Sequence, residues 1–184
     1  MNHIEKFRGI LNTSISISHE EVSAIAEALA AQIASHPARS RDRTEEEIEK
    51  STVRGMVNEI AIAKLLGCRN LAVWDFRVRE SFSWDVKDSI HGLRHEVKTQ
   101  AGSYWSMYPE IIKTLLNNIR LEGLDTIITA SHVVQGDSYV VYPKMIINPP
   151  TFKSYLLRSS YQAGGLYYDH RIAAHDGECI LFNV

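Results

Sequence analysis

At 184 residues the chain fits one domain and can bury a core without disulfide or metal staples. Its 45% hydrophobic and 23% charged residues are ordinary for a soluble globular protein, and a formal net charge of -2 excludes a global basic field while leaving a local basic stripe open. Two isolated cysteines exclude a disulfide framework and point to a reducing, cytoplasmic setting. Residues 1–11 lack the apolar segment of a signal peptide, and no apolar run approaches the ~18 residues of a membrane span.

Ser18 opens a helical pattern, with Glu21 at the capping-box position and Val22, Ile25, Ala26, Leu29 and Ile33 at helical spacing until Pro37. Residues 38–43 form a basic connector, either a solvated loop or an arm that touches phosphate. Thr44 caps a second helix, with Glu47 three residues on and Gly67 as its C′ residue. The first half of that helix is charged; from Gly55 to Leu66 the only strongly polar residues are Asn58, Glu59 and Lys64.

Extended segments follow at 71–76, 83–87 and 93–100, with a turn at 89–92 between the last two. Helical periodicity returns over 109–121 through Ile111, Ile112, Leu115, Leu116 and Ile119. Strands are predicted at 126–134 and 138–142, a short helix at 151–158, and a closing strand at 179–182. The order of helix, helix, three strands, helix, two strands, short helix and strand predicts a mixed α/β domain, with one central sheet and helices on its faces.

The chemistry concentrates in Trp84-Asp85-Val86 and in His95-Glu96-Val97-Lys98-Thr99-Gln100. Side chains alternate along a strand, so Arg94, Glu96, Lys98 and Gln100 share one face while Val97 points to the core on the other. A tight turn around Gly92 makes Asp85 and Glu96 cross-strand neighbours. Two carboxylates that close either take up a proton or hold a cation between them, and oxygen ligands suit Mg²⁺ or Mn²⁺. Lys98, two residues from Glu96 on the same face, could hold an attacking water or offset phosphate charge. On the helical wheel Glu59 neighbours Gly55, Ile62, Ala63 and Leu66. A carboxylate there needs compensation, from a metal site, from Lys98, or from an ion pair with Lys64 or an arginine.

This arrangement resembles the PD-(D/E)XK nuclease superfamily, with its restriction-endonuclease-like fold. Asp85 matches the acidic residue of the second core strand, Glu96-Val97-Lys98 the acidic-x-Lys motif of the third, and Glu59 the acid of the preceding helix. The family order of helix, three-strand meander, helix and further strand corresponds to residues 44–134. Trp84 stands where the family name has proline. The resemblance implies a single nuclease domain over 1–184, with 1–43 as a helical extension, 44–134 as the catalytic core and 135–184 as accessory elements. It implies Asp85, Glu96 and the Val97 carbonyl as metal ligands, Lys98 as the group that positions water, and Glu59 on a metal-bound water or a second ion. The cofactor would be Mg²⁺ or Mn²⁺, and the reaction phosphodiester hydrolysis in DNA rather than RNA. The enzyme would be an endonuclease of the restriction, repair or phage type, acting as a homodimer. The alternative is a non-catalytic nucleic-acid- or protein-binding module on the same fold.

A second acidic-x-Lys triplet, Asp85-Val86-Lys87, offers a rival register with Asp75, but a turn follows it where the family has a helix. Gln100 faces the same way as Lys98 and is either solvated or in contact with substrate. The Ser103–Tyr108 stretch, with Ser103 and Tyr104 nearest the strand, either stacks on bases or packs the next helix. His91 and His95 have i, i+4 spacing but fall in a turn and a strand, so they are not read as a zinc pair, and His170 and His175 lack companions. Gly164-Gly165 is a flexible turn, not a phosphate loop.

Overall fold

Two hydrophobic layers, one on each face of a mixed β-sheet, organise the chain. The computed structural model describes residues 3–25, 44–68, 85–88, 90–158 and 165–182. The helix expected through Ala26, Leu29 and Ile33, the basic connector at 38–43, the strand at 71–76 with Asp75, Trp84, Ser89 and Gly164 lie outside the described residues.

A 3₁₀ turn at His3–Phe7 leads into the short helix α1, Arg8–Leu11, and the strand β1, Ile15–Ser18. Helix α2 begins at residue 19 and is described as far as 25. The Ser18 hydroxyl accepts the Glu21 amide, as the sequence predicts, but the strand ahead of it was not expected.

Helix α3 spans Glu45–Leu65. Its start is a complete capping box: the Thr44 hydroxyl accepts the Glu47 amide, and the Glu47 carboxylate accepts the Thr44 amide. At its end the Gly67 amide donates to the Lys64 carbonyl and the Cys68 amide to that of Ala63. This closure needs a left-handed residue, and Gly67 supplies it at φ 71°.

The main sheet runs β1-β6-β5-β3-β2, with β9 sharing the β1 side of β6. Its other strands are β2 (Val86–Lys87), β3 (Arg94–Thr99), β5 (Thr126–Gln135), β6 (Ser138–Ile147) and β9 (Cys179–Leu181). β3 and β5 are parallel, and the long connection such a pair requires is supplied by helix α4, Pro109–Glu122. The other neighbouring pairs are antiparallel. The sheet therefore draws strands from both flanks of residues 44–134.

Alternation along the strands assigns each layer. Val97, Ile128, Ala130, Ile146 and Ile180 pack under α3 and the N-terminal elements. Ile127, Met145, Ile147 and Cys179 face the opposite way, toward Ile112 and Leu115 of α4. That second layer also holds a small sheet, β4 (Trp105–Met107), β8 (Leu166–Tyr168) and β7 (Leu156–Arg158), and helix α5, His170–His175. The helix expected at 151–158 is instead a 3₁₀ turn, Pro149–Tyr155, running directly into β7. Pro149 and Pro150 occupy its first positions, where a fixed φ starts the turn and a missing amide costs little. Among the described residues no helix is long and apolar enough to cross a membrane.

Candidate active site

β2 pairs with β3 through Val86↔His95 and Lys87↔Arg94, so the same register places Asp85 opposite Glu96. At Asp85 the ladder changes character. The Asp85 amide still donates to the His95 carbonyl at 3.0 Å, but the Val97 amide is taken by the side chain, donating to Asp85 Oδ2 at 2.7 Å. The backbone groups of Arg94 and Gln100 bond toward β5, so His95 and Val97 are the residues whose groups face β2. Where the carboxylate replaces strand backbone, the Val97 carbonyl is left facing the site.

Three oxygens then meet at one point. The Lys98 ammonium lies 3.1 Å from Asp85 Oδ2, 3.2 Å from the Val97 carbonyl oxygen and 2.5 Å from Glu96 Oε1. Glu96 is 5% exposed, whereas Asp85 and Lys98 keep partial access to solvent, so the cluster is open at one side. Lys98 meets Asp85, while Lys87 of the rival register is exposed.

Burial pushes the Glu96 carboxyl up, the Asp85 charge pushes it further, and the Lys98 ammonium only partly offsets both; it stands at about 7. Burial pulls Lys98 down, but Asp85 and Glu96 outweigh it and hold the ammonium charged. Glu59, half-buried on α3, joins the same field: burial and then Asp85 drive its carboxyl well above the usual range, against a smaller pull from Lys98. Among the described residues, three carboxyl groups share this field with one ammonium, an excess of negative charge. The two raised carboxyls are the response, and a divalent cation would relieve the same excess.

Asn118, on α4, also hydrogen-bonds the Glu96 carboxylate and favours its charged form. Sequence reasoning missed it. Its only signal was an amide three residues on from Leu115, which cannot say what the helix lies over.

Beneath the cluster is a buried polar brace. The His95 imidazole bridges Thr126 Oγ1 at 2.6 Å and Asp88 Oδ2 at 3.1 Å, and Asp88 also accepts the amides of Ile90, His91 and Leu93. Burial raises the Asp88 carboxyl, but those donors outweigh it and hold it below the ordinary range. Burial outweighs Asp88 at His95 and holds the imidazole below its ordinary range. The Phe7 ring meets both His95 and His91 edge-on. His95 is thus tied into the hairpin turn, and His91 is exposed at the surface.

Gln100 is buried, and its amide is fully used. Oε1 accepts the Thr129 hydroxyl at 2.7 Å, and Nε2 donates to the carbonyls of Gly102 and Ser103. It anchors the 101–104 loop. Trp105 and Met107 pack into the second core layer, whereas Tyr104 and Tyr108 remain exposed. The aromatic stretch divides between packing and surface.

The oxygen set fits a hard divalent cation: two carboxylates and a carbonyl converge, with excess negative charge around them. Among the described residues no three Asp, Glu, His or Cys side chains form a ready metal cage; the oxygens that converge are those of Asp85, Glu96 and the Val97 carbonyl. No protein-family model matches the chain, and none of the curated proteins and none of the solved structures matches it.

Proposed function

We propose that the chain is a metal-dependent nuclease that hydrolyses phosphodiester bonds in DNA, built on a restriction-endonuclease-like core. The observation that carries this reading is the meeting of Asp85 Oδ2, Glu96 Oε1 and the Val97 carbonyl at one cationic point. Asp85, Glu96 and Val97 would hold Mg²⁺ or Mn²⁺, with Glu59 on a bound water or a second ion. Bound there, the cation supplies stabilisation of charge on the phosphate oxygens.

The remaining chemistry belongs to the protein. The Val97 amide fixes the rotamer of Asp85, and Asn118 holds Glu96 toward the cluster. Lys98 exchanges its carboxylate partners for the phosphate or for the attacking water, which it holds in line with the leaving oxygen. The choice of DNA, of an endonuclease and of a homodimer rests on the resemblance to the superfamily.

The test is incubation of plasmid and of single-stranded DNA with Mg²⁺ or Mn²⁺, beside a Lys98→Ala control. Cleavage that needs metal and is lost in the control supports the reading; unchanged cleavage in the control removes Lys98 from it. A second reading has its own support, because the Lys98 ammonium is already satisfied by three oxygens, as in a structural ion-pair network. A non-catalytic binding module of that kind would hold DNA and never cut it.

A further inference from the structure

A cavity of about 570 Å³, with both polar and apolar walls, opens beside the end of β3, within the range of small-ligand sites. Gln100, two residues beyond Lys98 and on the same strand face, forms part of its wall, so the cavity starts roughly 7 Å along the strand from the cluster. Lys144, Arg171, His170, Ser103 and Ser131 also line it, and none of the lining residues is acidic.

Two features mark it as a built site. The register of β5 with β6 shifts between Thr129 and Ala130, pairing Thr129 with Met145 and Ala130 with Pro143, so Lys144 is the extra residue of a β-bulge. Strict alternation would put Lys144 and Met145 on opposite faces, yet both line this cavity. Re-aiming a side chain is what bulges near functional sites do. Second, His170 Nδ1 is buried with no partner at ordinary hydrogen-bond geometry among the described residues, although the imidazole is also influenced by the Tyr168 backbone, and a bound group would satisfy that atom. Lys144 and Arg171 make no ion pair with any described residue; Arg171 instead lies 5.9 Å from the centroid of the Tyr104 ring, which is half exposed and also meets His170 at 5.6 Å.

We propose that this cavity binds a phosphate group of the nucleic-acid strand adjacent to the scissile one, with Tyr104 offering its ring to a neighbouring base. The proposal rests on the nuclease reading for the source of the phosphate. Lys144 and Arg171 supply the charge, the Ser103 and Ser131 hydroxyls and His170 the hydrogen bonds, and Gln100 holds the loop that carries Ser103. Aromatic stacking beside a basic groove tolerates any base and suits a single-stranded segment.

The test measures binding of the full chain to a fluorescent single-stranded oligonucleotide and to its duplex, in EDTA, across a salt series. The proteins are wild type, Lys98→Ala, the double variant Lys144→Gln/Arg171→Gln and a Lys50→Gln control; circular dichroism checks folding. The double variant should bind at least 10-fold more weakly, with its salt slope reduced by about 0.7 per lost contact on a single strand. Lys50→Gln should bind as wild type. Equal affinity and slope in the double variant would overturn the cavity assignment while leaving metal-dependent cleavage standing. Loss of the slope in the double variant together with undiminished cutting by Lys98→Ala would retain the cavity and remove the catalytic reading. Inorganic phosphate and a mononucleotide are titrated separately. If they stabilise wild type but not the double variant, and no oligonucleotide binds, the ligand is a free phosphate compound and the nucleic-acid source is overturned. If nothing binds, the proposal fails outright.

Discussion

The Lys98 ammonium and Asp85 Oδ2 are 3.1 Å apart, and that same carboxylate oxygen accepts the Val97 amide at 2.7 Å. One side chain thus ends the β2–β3 ladder and begins the polar cluster. Substitution of either partner tests both roles.

Lys98→Ala is expected to lower the cleavage rate by about 10²–10⁴-fold, the usual worth of a positioned proton-handling or charge-stabilising group. Its DNA affinity in EDTA should stay near wild type. A gel assay of initial rates at saturating Mn²⁺, paired with fluorescence anisotropy, separates the two effects.

Stability without metal should depend on pH through Glu96. Its folded-state carboxyl stands at about 7, above the ordinary 4.5. A raised acid binds its proton more tightly when folded, so the associated stability is complete below about 4.5 and is lost as the pH rises through about 7. Glu59 is shifted in the same direction. In EDTA, the melting temperature of Glu96→Gln relative to wild type should therefore rise between pH 5 and pH 8. Mn²⁺ should shrink that difference by stabilising the ionised wild type.

Asn118→Ala tests a residue that acts through Glu96. Removing its hydrogen bond favours the protonated carboxyl, so metal affinity should fall about 10-fold and its pH midpoint should move upward. The maximal rate at saturating Mn²⁺ should change little. Asn117→Ala, one position along on the exposed face of α4, should behave as wild type.

Asp88→Ala should destabilise by about 3 kcal/mol or more, because it strips the acceptor from buried His95 and from the turn amides. For a chain of this size that is roughly a 6–12 °C fall in melting temperature. Gly55→Ala should act the other way. A Cβ there would meet Glu59 Oε1 at 3.8 Å, an ordinary contact, and removing a mid-helix glycine stabilises by about 1 kcal/mol. Differential scanning calorimetry reads both.

The strongest local patterns were legible in the sequence. Thr44 and Glu47 gave the start of α3, Gly67 its end, and the alternation through Glu96, Val97 and Lys98 gave the strand and its two faces. The turn at Gly92 brought Asp85 to Glu96, as the register confirms. What stayed hidden was non-local. β1 is a four-residue strand whose only partner among the described residues is β6, more than a hundred residues away, and its Ser-Ile alternation is too short to stand out. The small sheet of β4, β7 and β8 joins segments of three residues each, below the length at which periodicity registers. From its type Gln100 reads as either solvated or in contact with substrate, and only the fold reveals that Thr129 and the 101–104 loop satisfy its amide. Asn118 and the Lys144 bulge depend on how α4 and β6 lie against β3 and β5.

The most direct measurement of the central claim is a Mn²⁺ titration followed by electron paramagnetic resonance, on wild type, Asp85→Asn and Glu96→Gln. Wild type should bind Mn²⁺, release it to Mg²⁺, and bind it at least 10-fold more tightly than each variant. Wild type that takes up no Mn²⁺, or variants that bind it as tightly as wild type, would contradict the central claim.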